Sequence, residues 1–215
     1  IKVIHPLMDF ANELTLDDYA ESFARHAIVS GVRDSSDDTD SPLFQRILGE
    51  AWQRLPSAVR ALHSAPGFVT VTGSAVVVTG RNWLARIVRR AFGFPPATPG
   101  TPLRVTFERA GGVEKWCREF GERRFASVLY AGQGRFERLL CERFGPFVFG
   151  VALTVENARL RYIVRRWSVL GVPLPRGLAP LGTTFEYEEA GRFHFDVEID
   201  APVLGSIVRY AGRLG

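Results

Sequence analysis

Residues 183–199 hold two runs of alternating apolar and polar side chains, separated by a short turn-like segment at 189–191. Gly191 can adopt the left-handed conformation that a three-residue hairpin loop requires, so the pattern predicts a β-hairpin closed by that loop. A two-residue loop would set Phe185 against Asp196 and would mix apolar with polar residues on each face. The sequence therefore favours the three-residue loop.

This register gives the predicted hairpin one apolar and one ionisable face. The apolar face would carry Phe185, Tyr187, Phe193, Phe195, Val197 and Ile199; the other would carry Thr184, Glu186, Glu188, Arg192, His194, Asp196 and Glu198. A carboxylate beside an imidazole can orient a general base, so His194, Glu186 and Asp196 are candidate catalytic residues. A strand that turns its polar face to solvent gives the same pattern, and this is the alternative.

The sequence before this hairpin predicts further strands. Turn signals recur every 8–12 residues from Leu103 onward; they lie at 110–112, 121–122, 132–134, 145–146 and 157–158. No helical pattern separates these runs, which indicates antiparallel structure and excludes βαβ units. A strongly curved sheet or barrel of about 8–10 strands is expected, because closure removes exposed edges. The last run, 207–214, is expected to close the sheet.

Helical patterns surround the first predicted strand, at 67–79. One helical stretch begins at Ser41-Pro42 and is broken by Pro56, after which 57–62 adds a further turn or two. Asn82 is placed to cap a short amphipathic helix, Trp83 to Phe92. The fold class predicted is α+β, mainly β, with N-terminal helices and one short inserted helix.

Charge divides the chain unevenly. Residues 1–40 hold three basic and nine acidic side chains, although the whole chain has a formal net charge of +4. A helix is expected at 14–27, followed by the polar acidic segment 34–42. The sequence therefore predicts an acidic helical appendage and linker at 1–40 and a single β-rich domain at 41–215.

Cysteines and histidines limit the chemistry that can be expected. Cys117 and Cys141 are the only cysteines, which favours two free thiols in a reducing compartment; with no secretory signal, a cytoplasmic location is expected. The four histidines show no metal-ligand spacing, so neither a metal nor another cofactor is expected.

Two apolar segments are candidates for the cover of a ligand cavity. They are the helix at 83–92 and the Pro- and Leu-rich loop at 172–181, and an apolar loop beside a curved sheet often forms the mouth of such a cavity. The candidate cavity residues are Trp83, Phe92, Trp167, Leu174 and Leu178. Packing of both segments on the sheet is the alternative. Membrane contact is not expected of so short a helix.

Arginines follow one face of the predicted strand 159–167. Arg159, Arg161 and Arg165 share that face with Trp167, so they are candidate anion-binding residues. Lysine is nearly absent from the chain, and no RNP-like or helix-turn-helix pattern occurs, so a nucleic-acid partner is not expected. An ordinary solvated face rich in arginine is the alternative.

Four segments together resemble a known bacterial family. They are LFQRILGEAWQRLP at 43–56, RIVRRAFGFP at 86–95, RFGPFVFGVAL at 143–153 and GRFHFDVEI at 191–199. Over about residues 43–215 the chain resembles the family catalogued as domain of unknown function 4166. Its members often follow NAD-binding domains similar to saccharopine dehydrogenase, so the resemblance implies a helper domain of an oxidoreductase or a free-standing relative. The chain has no G-x-G-x-x-G after a strand and is not expected to bind the dinucleotide itself.

Three functions remain open from the sequence. The first is a binding domain that holds a small apolar or amphipathic ligand inside the sheet, with an NAD-dependent oxidoreductase as its partner. The second is an enzyme that uses His194 with Glu186 or Asp196. The third is a structural or interaction module whose basic face docks an acidic partner.

Overall fold

The computed structural model describes residues 41–215. The helix predicted at 14–27 and nearly all of the acidic linker lie outside the described residues. The division at residue 40 therefore stays a prediction.

Short helices precede and interrupt the β-structure. Helix α1 spans Leu43–Leu48, a 3₁₀ helix spans Gly49–Arg54, α2 spans Ser57–Ser64 and α3 spans Trp83–Ala91; further 3₁₀ turns lie at Gly134–Phe136 and Arg176–Leu178. Pro56 separates the first stretch from α2, as predicted. The N-cap of α3 is also confirmed, because the Asn82 side chain accepts a hydrogen bond from the Leu84 amide at 2.9 Å.

Eleven strands lie within residues 41–215. They are β1 (Phe68–Thr79), β2 (Thr98–Ala110), β3 (Val113–Phe120), β4 (Arg123–Ala131), β5 (Leu140–Phe144), β6 (Phe147–Glu156), β7 (Arg159–Val169), β8 (Val172–Pro173), β9 (Thr184–Glu189), β10 (Arg192–Ala201) and β11 (Gly205–Leu214). Ten of them form a closed antiparallel ring in the order β6-β5-β4-β3-β2-β1-β11-β10-β9-β7, which pairing of β7 with β6 completes. The barrel prediction is confirmed, and β11 lies between β1 and β10.

The predicted hairpin register is wrong by one residue. Phe195 lies opposite Glu186 and Phe193 opposite Glu188, so the loop has only two residues, Ala190 and Gly191. Both have positive φ, 50° and 72°, as a type I′ turn requires. An alanine is a poor residue for that position. The longer loop was favoured from the sequence because it keeps apolar and polar residues on separate faces.

This register places carboxylates on the inner face of β9. Glu186 and Glu188 share the inner face with Phe193 and Phe195 of β10, whereas Phe185 and Tyr187 face outward. The inward placement of the two carboxylates is stable because both receive hydrogen bonds from α2. The tertiary partners of the carboxylates thus override the alternation of apolar residues along the strand.

A bulge also alters the predicted face of β7. Val151 of β6 lies opposite Val164, but the preceding Gly150 lies opposite Arg166, so β7 holds an extra residue there. Trp167 consequently joins the cavity lining, away from the face of Arg159. The expected single face of arginines and Trp167 does not form.

One end of the barrel is closed by the N-terminal helices, here called the plug. Four large side chains of this segment are buried in the core: Phe44, Trp52, Leu55 and Val59.

Residues of the barrel form hydrogen bonds with both ends of α2. Glu188 accepts hydrogen bonds at its N-terminus, from the Ala58 amide at 2.7 Å and the Ser57 hydroxyl at 2.9 Å. At its C-terminus, the Arg109 guanidinium donates to the carbonyls of Leu62 and Ala65 at 3.0 and 2.7 Å.

The other end of the barrel, here called the mouth, is bordered by α3. Strand β1 begins directly after α2 and ends just before α3, so the two helices lie at opposite ends. Because successive strands alternate in direction, the mouth also receives the connections at 121–122, 145–146, 170–183 and 202–204.

Cys117 and Cys141 are buried and form no disulfide, which confirms two free thiols. Within residues 41–215, no helix has both the length and the apolar character that crossing a bilayer demands.

Candidate ligand cavity

A cavity of about 630 Å³ lies inside the barrel between the plug and the mouth. Its lining runs from Leu62 of α2 and Trp116 near the plug to Phe92 and Leu178 at the mouth. The volume lies within the range of roughly 300–1,000 Å³ that is typical of small-molecule sites.

Aromatic rings form the wall of the cavity near the mouth. The ring of Phe92 lies 5.1 Å from that of Phe147, and Phe147 is followed along the inner face by Phe149 and Trp167. These side chains are only partly buried. They therefore offer flat apolar surface to any molecule that enters.

A hydrogen-bonded trio lies at the plug end of the cavity. The Tyr162 hydroxyl donates to Oε1 of Glu186 at 2.8 Å, and Nε2 of His63 lies 2.5 Å from Oε2 of the same carboxylate. Tyr162 and Glu186 line the cavity, whereas His63 lies behind them, fully buried in α2. One carboxylate thus joins the cavity wall to the plug.

Ring stacking fixes the orientation of His63. Its ring lies 3.8 Å from that of Phe44 and 5.6 Å from that of Trp116. Among residues 41–215 its buried Nδ1 has no hydrogen-bond partner. Nε2 is the nitrogen that donates to Glu186, because a carboxylate oxygen only accepts.

A second polar group projects from the neighbouring strands β3, β4 and β5. The Arg118 guanidinium donates to the Ser127 hydroxyl at 2.9 Å, and Ser127 donates to Glu142 at 2.7 Å. Arg118 also lies 3.4 Å from Glu142. Its positive charge is thus neutralised within the wall.

We name these two groups together the polar cluster: His63, Arg118, Ser127, Glu142, Tyr162 and Glu186. Burial, together with the negative charges of Glu186 and Glu142, raises the pKa of Tyr162 well above its ordinary value. One guanidinium, that of Arg118, faces the two carboxylates of Glu142 and Glu186. The cluster therefore presents a surplus of hydrogen-bond acceptors and no free positive charge. Among residues 41–215, no three His, Cys, Asp or Glu side chains come together as a metal site would require.

The candidate catalytic residues do not form the predicted arrangement. Glu186 faces the interior, but His194 and Asp196 lie on the outer face of β10, as the corrected register requires. Asp196 pairs there with Arg209, with Nη2 and Oδ2 at 2.6 Å, and His194 lies 3.7 Å from Glu189. The expected contact of His194 with Glu186 is therefore absent, and His63 takes its place.

Three of the five candidate cavity residues line the cavity. Phe92, Trp167 and Leu178 belong to its wall. Trp83, the first residue of α3, lies outside it with 64% of its surface exposed. Leu174 also lies outside; its amide donates to the Trp167 carbonyl at 3.2 Å. Contact of these residues with a ligand stays a prediction.

The candidate anion-binding arginines lie apart from the polar cluster. Arg159 stacks on the outer face with its guanidinium 5.0 Å from the Tyr187 ring. Arg161 belongs to the cavity lining but pairs with Glu156 at 3.2 Å, and Arg165 is exposed at the bulge of β7. Anion binding by these residues also stays a prediction.

The polar cluster contains residues that the sequence reasoning missed, although a signal was present. Arg118 stands in phase with Trp116 and Phe120 along β3, and Glu142 stands in phase with Leu140 and Phe144 along β5. A charged residue within an apolar face of an alternating strand marks an ionisable group that points into the core. Tyr162, between Leu160 and Val164, has the same placement.

The comparisons with known proteins identify a family. The sequence profile described as "Domain of unknown function (DUF4166)" matches residues 55–214, about three quarters of the chain. The chain belongs to this family. The DUF4166 match takes in the entire barrel together with α2, and it ends at Leu214 of β11. A comparison with curated proteins found no match.

Proposed function

We propose that this DUF4166 chain binds a small amphipathic molecule inside the barrel. The apolar body of the molecule lies against the aromatic wall near the mouth, and its polar head reaches the polar cluster. The observation that carries the proposal is a large internal cavity with apolar walls and a few convergent polar groups at one end.

The energetic cost of an empty cavity supports an occupant. Apolar side chains that face unfilled volume lose their packing partners, so an unfilled cavity lowers the stability of the fold. Water is a poor occupant of the aromatic part, because it finds few hydrogen-bond partners there. An apolar occupant restores the lost contacts.

The charges of the polar cluster disfavour an anionic head group. A carboxylate or phosphate head would meet Glu142 and Glu186, while Arg118 is already paired with Glu142. A hydroxyl group can instead donate a hydrogen bond to Glu186 or to the Tyr162 oxygen without adding charge. We therefore expect fatty alcohols and similar neutral amphiphiles to bind more tightly than fatty acids of equal length.

The test is a competition experiment for the cavity, carried out in solution without lipid vesicles. A fluorescent apolar probe is bound to the full chain and displaced with dodecanol or with dodecanoate; dodecanol is expected to displace it at the lower concentration. Val164→Trp, which fills the cavity wall, should abolish binding, whereas Val76→Trp on the exposed outer face of β1 should not. Failure of the probe to bind, or equal loss in both variants, would overturn the proposal. Native mass spectrometry before and after solvent extraction shows whether the purified protein carries a ligand.

The cellular setting belongs to the same proposal. We propose a cytoplasmic location, and the two buried free thiols, Cys117 and Cys141, support a reducing compartment. The resemblance to domains that accompany NAD-dependent oxidoreductases supports such an enzyme as the partner that supplies or consumes the ligand. Copurification with an oxidoreductase encoded beside it is the measurement for this part.

A further inference from the structure

Exposed apolar side chains gather around the mouth of the barrel. We name them the apolar rim: Trp83, Leu84, Leu170, Val172, Leu178, Leu181 and Val203. They come from α3, the β7–β8 hairpin, the loop that follows β8 and the β10–β11 turn. Trp83, Leu170 and Val203 expose 64%, 73% and 91% of their surface. Separate segments of the chain therefore place exposed apolar groups at the same end of the barrel.

Two residues of the apolar rim sit at turn positions that disfavour them. Leu170 has φ of 50° and Val203 has φ of 72°, a left-handed conformation that is rare for large or β-branched side chains. The connections at the plug end carry Asn157, Ala158, Ala190 and the polar Arg138 in this conformation. Strained residues of this kind cluster at functional positions. Packing does not account for them here, since both side chains point into solvent.

Arginines surround the apolar rim. Segment 80–95 contains four arginines and no acidic residue, and segment 163–182 contains three more, also without an acidic residue. Partial burial and the positive charges of Arg90, Arg123 and Arg86 lower the pKa of Arg89, so these guanidinium groups lie close together. The mouth thus combines exposed apolar groups with a concentrated positive charge.

We infer that the apolar rim docks on an anionic membrane surface and that the ligand passes between the bilayer and the cavity through the mouth. This inference rests on the proposed function. The occupant is chosen by charge complementarity: anionic head groups attract the arginines, while Trp83, Leu84 and the turn residues enter the interface. Arginine stems can extend from the apolar layer to the head groups, so both contacts form together. From the sequence, α3 alone was too short for this role; the barrel adds the other three segments.

The test uses the full chain with two kinds of vesicle, phosphatidylcholine alone and phosphatidylcholine mixed with phosphatidylglycerol. Cosedimentation is expected only with the mixed vesicles, and added salt should weaken it. The double variant Trp83→Ala/Leu84→Ala and the double variant Arg86→Glu/Arg90→Glu should each reduce binding at least about tenfold, since each removes one of the two contributions. The matched control is Phe68→Ala, which removes an aromatic ring, 70% exposed, at the plug end and should leave binding unchanged.

Several outcomes would overturn the inference: no binding to mixed vesicles, equal binding to neutral ones, or equal loss in the Phe68 control. Dimers in solution that the Trp83/Leu84 variant dissolves would also overturn it, because a second copy would then cover the apolar rim. Probe displacement without vesicles keeps the two proposals distinct. Variants of the apolar rim that no longer bind vesicles but still bind the fluorescent probe support docking. A protein that binds vesicles but never the probe contradicts the proposed function and leaves docking in place.

Discussion

His63 of α2 and Glu186 of β9 are 123 positions apart in the sequence and lie 2.5 Å apart, between Nε2 and Oε2. Both are buried, His63 completely. Their contact joins the plug to the barrel beside the cavity, so the stability of the fold and the shape of the site depend on one carboxylate. Tyr162 is the third member of the trio.

Replacement of His63 by alanine should strongly destabilise the protein. The variant removes a stacked ring and leaves the buried Glu186 with Tyr162 as its remaining side-chain partner, so we expect a loss of about 3–5 kcal/mol in the free energy of unfolding. Urea denaturation measures it. His194→Ala is the matched control, since that half-buried histidine lies on the outer face and should cost below about 1 kcal/mol. Equal losses would show that the buried pair has no special role.

Glu188 should make the stability of the plug depend on pH. Hydrogen bonds from the Ala58 amide and then from the Ser57 hydroxyl lower the pKa of Glu188 below its ordinary value of 4.5. A lowered pKa in the folded state adds stability above pH 4.5, and this contribution disappears as the pH falls through the folded value. Glu188→Gln should therefore lower stability at neutral pH and flatten its acid dependence. Urea midpoints between neutral and acid pH test this, with exposed Glu122→Gln as the control.

The barrel was predictable from the sequence because alternation and turn signals are local. Strand runs separated by Gly-rich turns from Leu103 onward could give the antiparallel class and the approximate strand number. The end of α3 near Gly93 and the helix break at Pro56 are likewise signalled by residues next to them in the sequence. Each depends on backbone preferences of a few neighbouring residues.

The site was less predictable because its partners come from distant segments. Glu186 lies on an inner face only because His63 and Tyr162 satisfy its oxygens, and neither contact leaves a trace in the hairpin sequence. A rule that apolar residues define the inner face therefore chose the wrong register. Arg118 and Glu142 were detectable from their phase along their strands. Their pairing with each other depended on the order of β3, β4 and β5.

Tyr210 should limit stability at high pH. Burial raises its pKa to about 12; Glu142 and Glu186 add to this, while Arg118 opposes it. A raised folded-state pKa adds stability that is complete below the ordinary value of 10.0 and is lost as the pH rises to about 12, because the unfolded chain releases its proton first. The loss amounts to about 2–3 kcal/mol. Tyr210→Phe should flatten the alkaline decline in unfolding free energy, and an unchanged slope would contradict the assignment.

Gly73 of β1 should tolerate no side chain. A Cβ at this position would overlap the carbonyl oxygen of Arg213 on β11, and backbone cannot move aside as a flexible side chain can. We expect Gly73→Ala to cost more than about 2 kcal/mol in thermal or urea unfolding. Gly100→Ala is the control, because its Cβ would meet nothing within 4 Å and its backbone is not left-handed. A small effect at Gly73 would mean that the two strands can separate locally.

Glu142 should decide which head groups the cavity accepts. In the wild-type protein its carboxylate neutralises Arg118, with Nη2 and Oε1 3.4 Å apart. Glu142→Gln keeps the size of the side chain and leaves Arg118 without its counter-charge in a partly buried wall. Dodecanoate should then bind about tenfold more tightly, since a gain of about 1.4 kcal/mol is modest for a charge-assisted contact.

Probe displacement by dodecanoate and by dodecanol measures this selectivity. Dodecanol affinity should change little, because a neutral head gains no charge partner from the substitution. Glu119→Gln is the matched control: that carboxylate, 4.0 Å from Arg104, is solvent-accessible, and its loss should alter neither ligand. A gain for dodecanoate in the Glu142 variant alone would show that the ligand head group contacts the polar cluster. Equal behaviour of the two variants would place the head group elsewhere in the barrel.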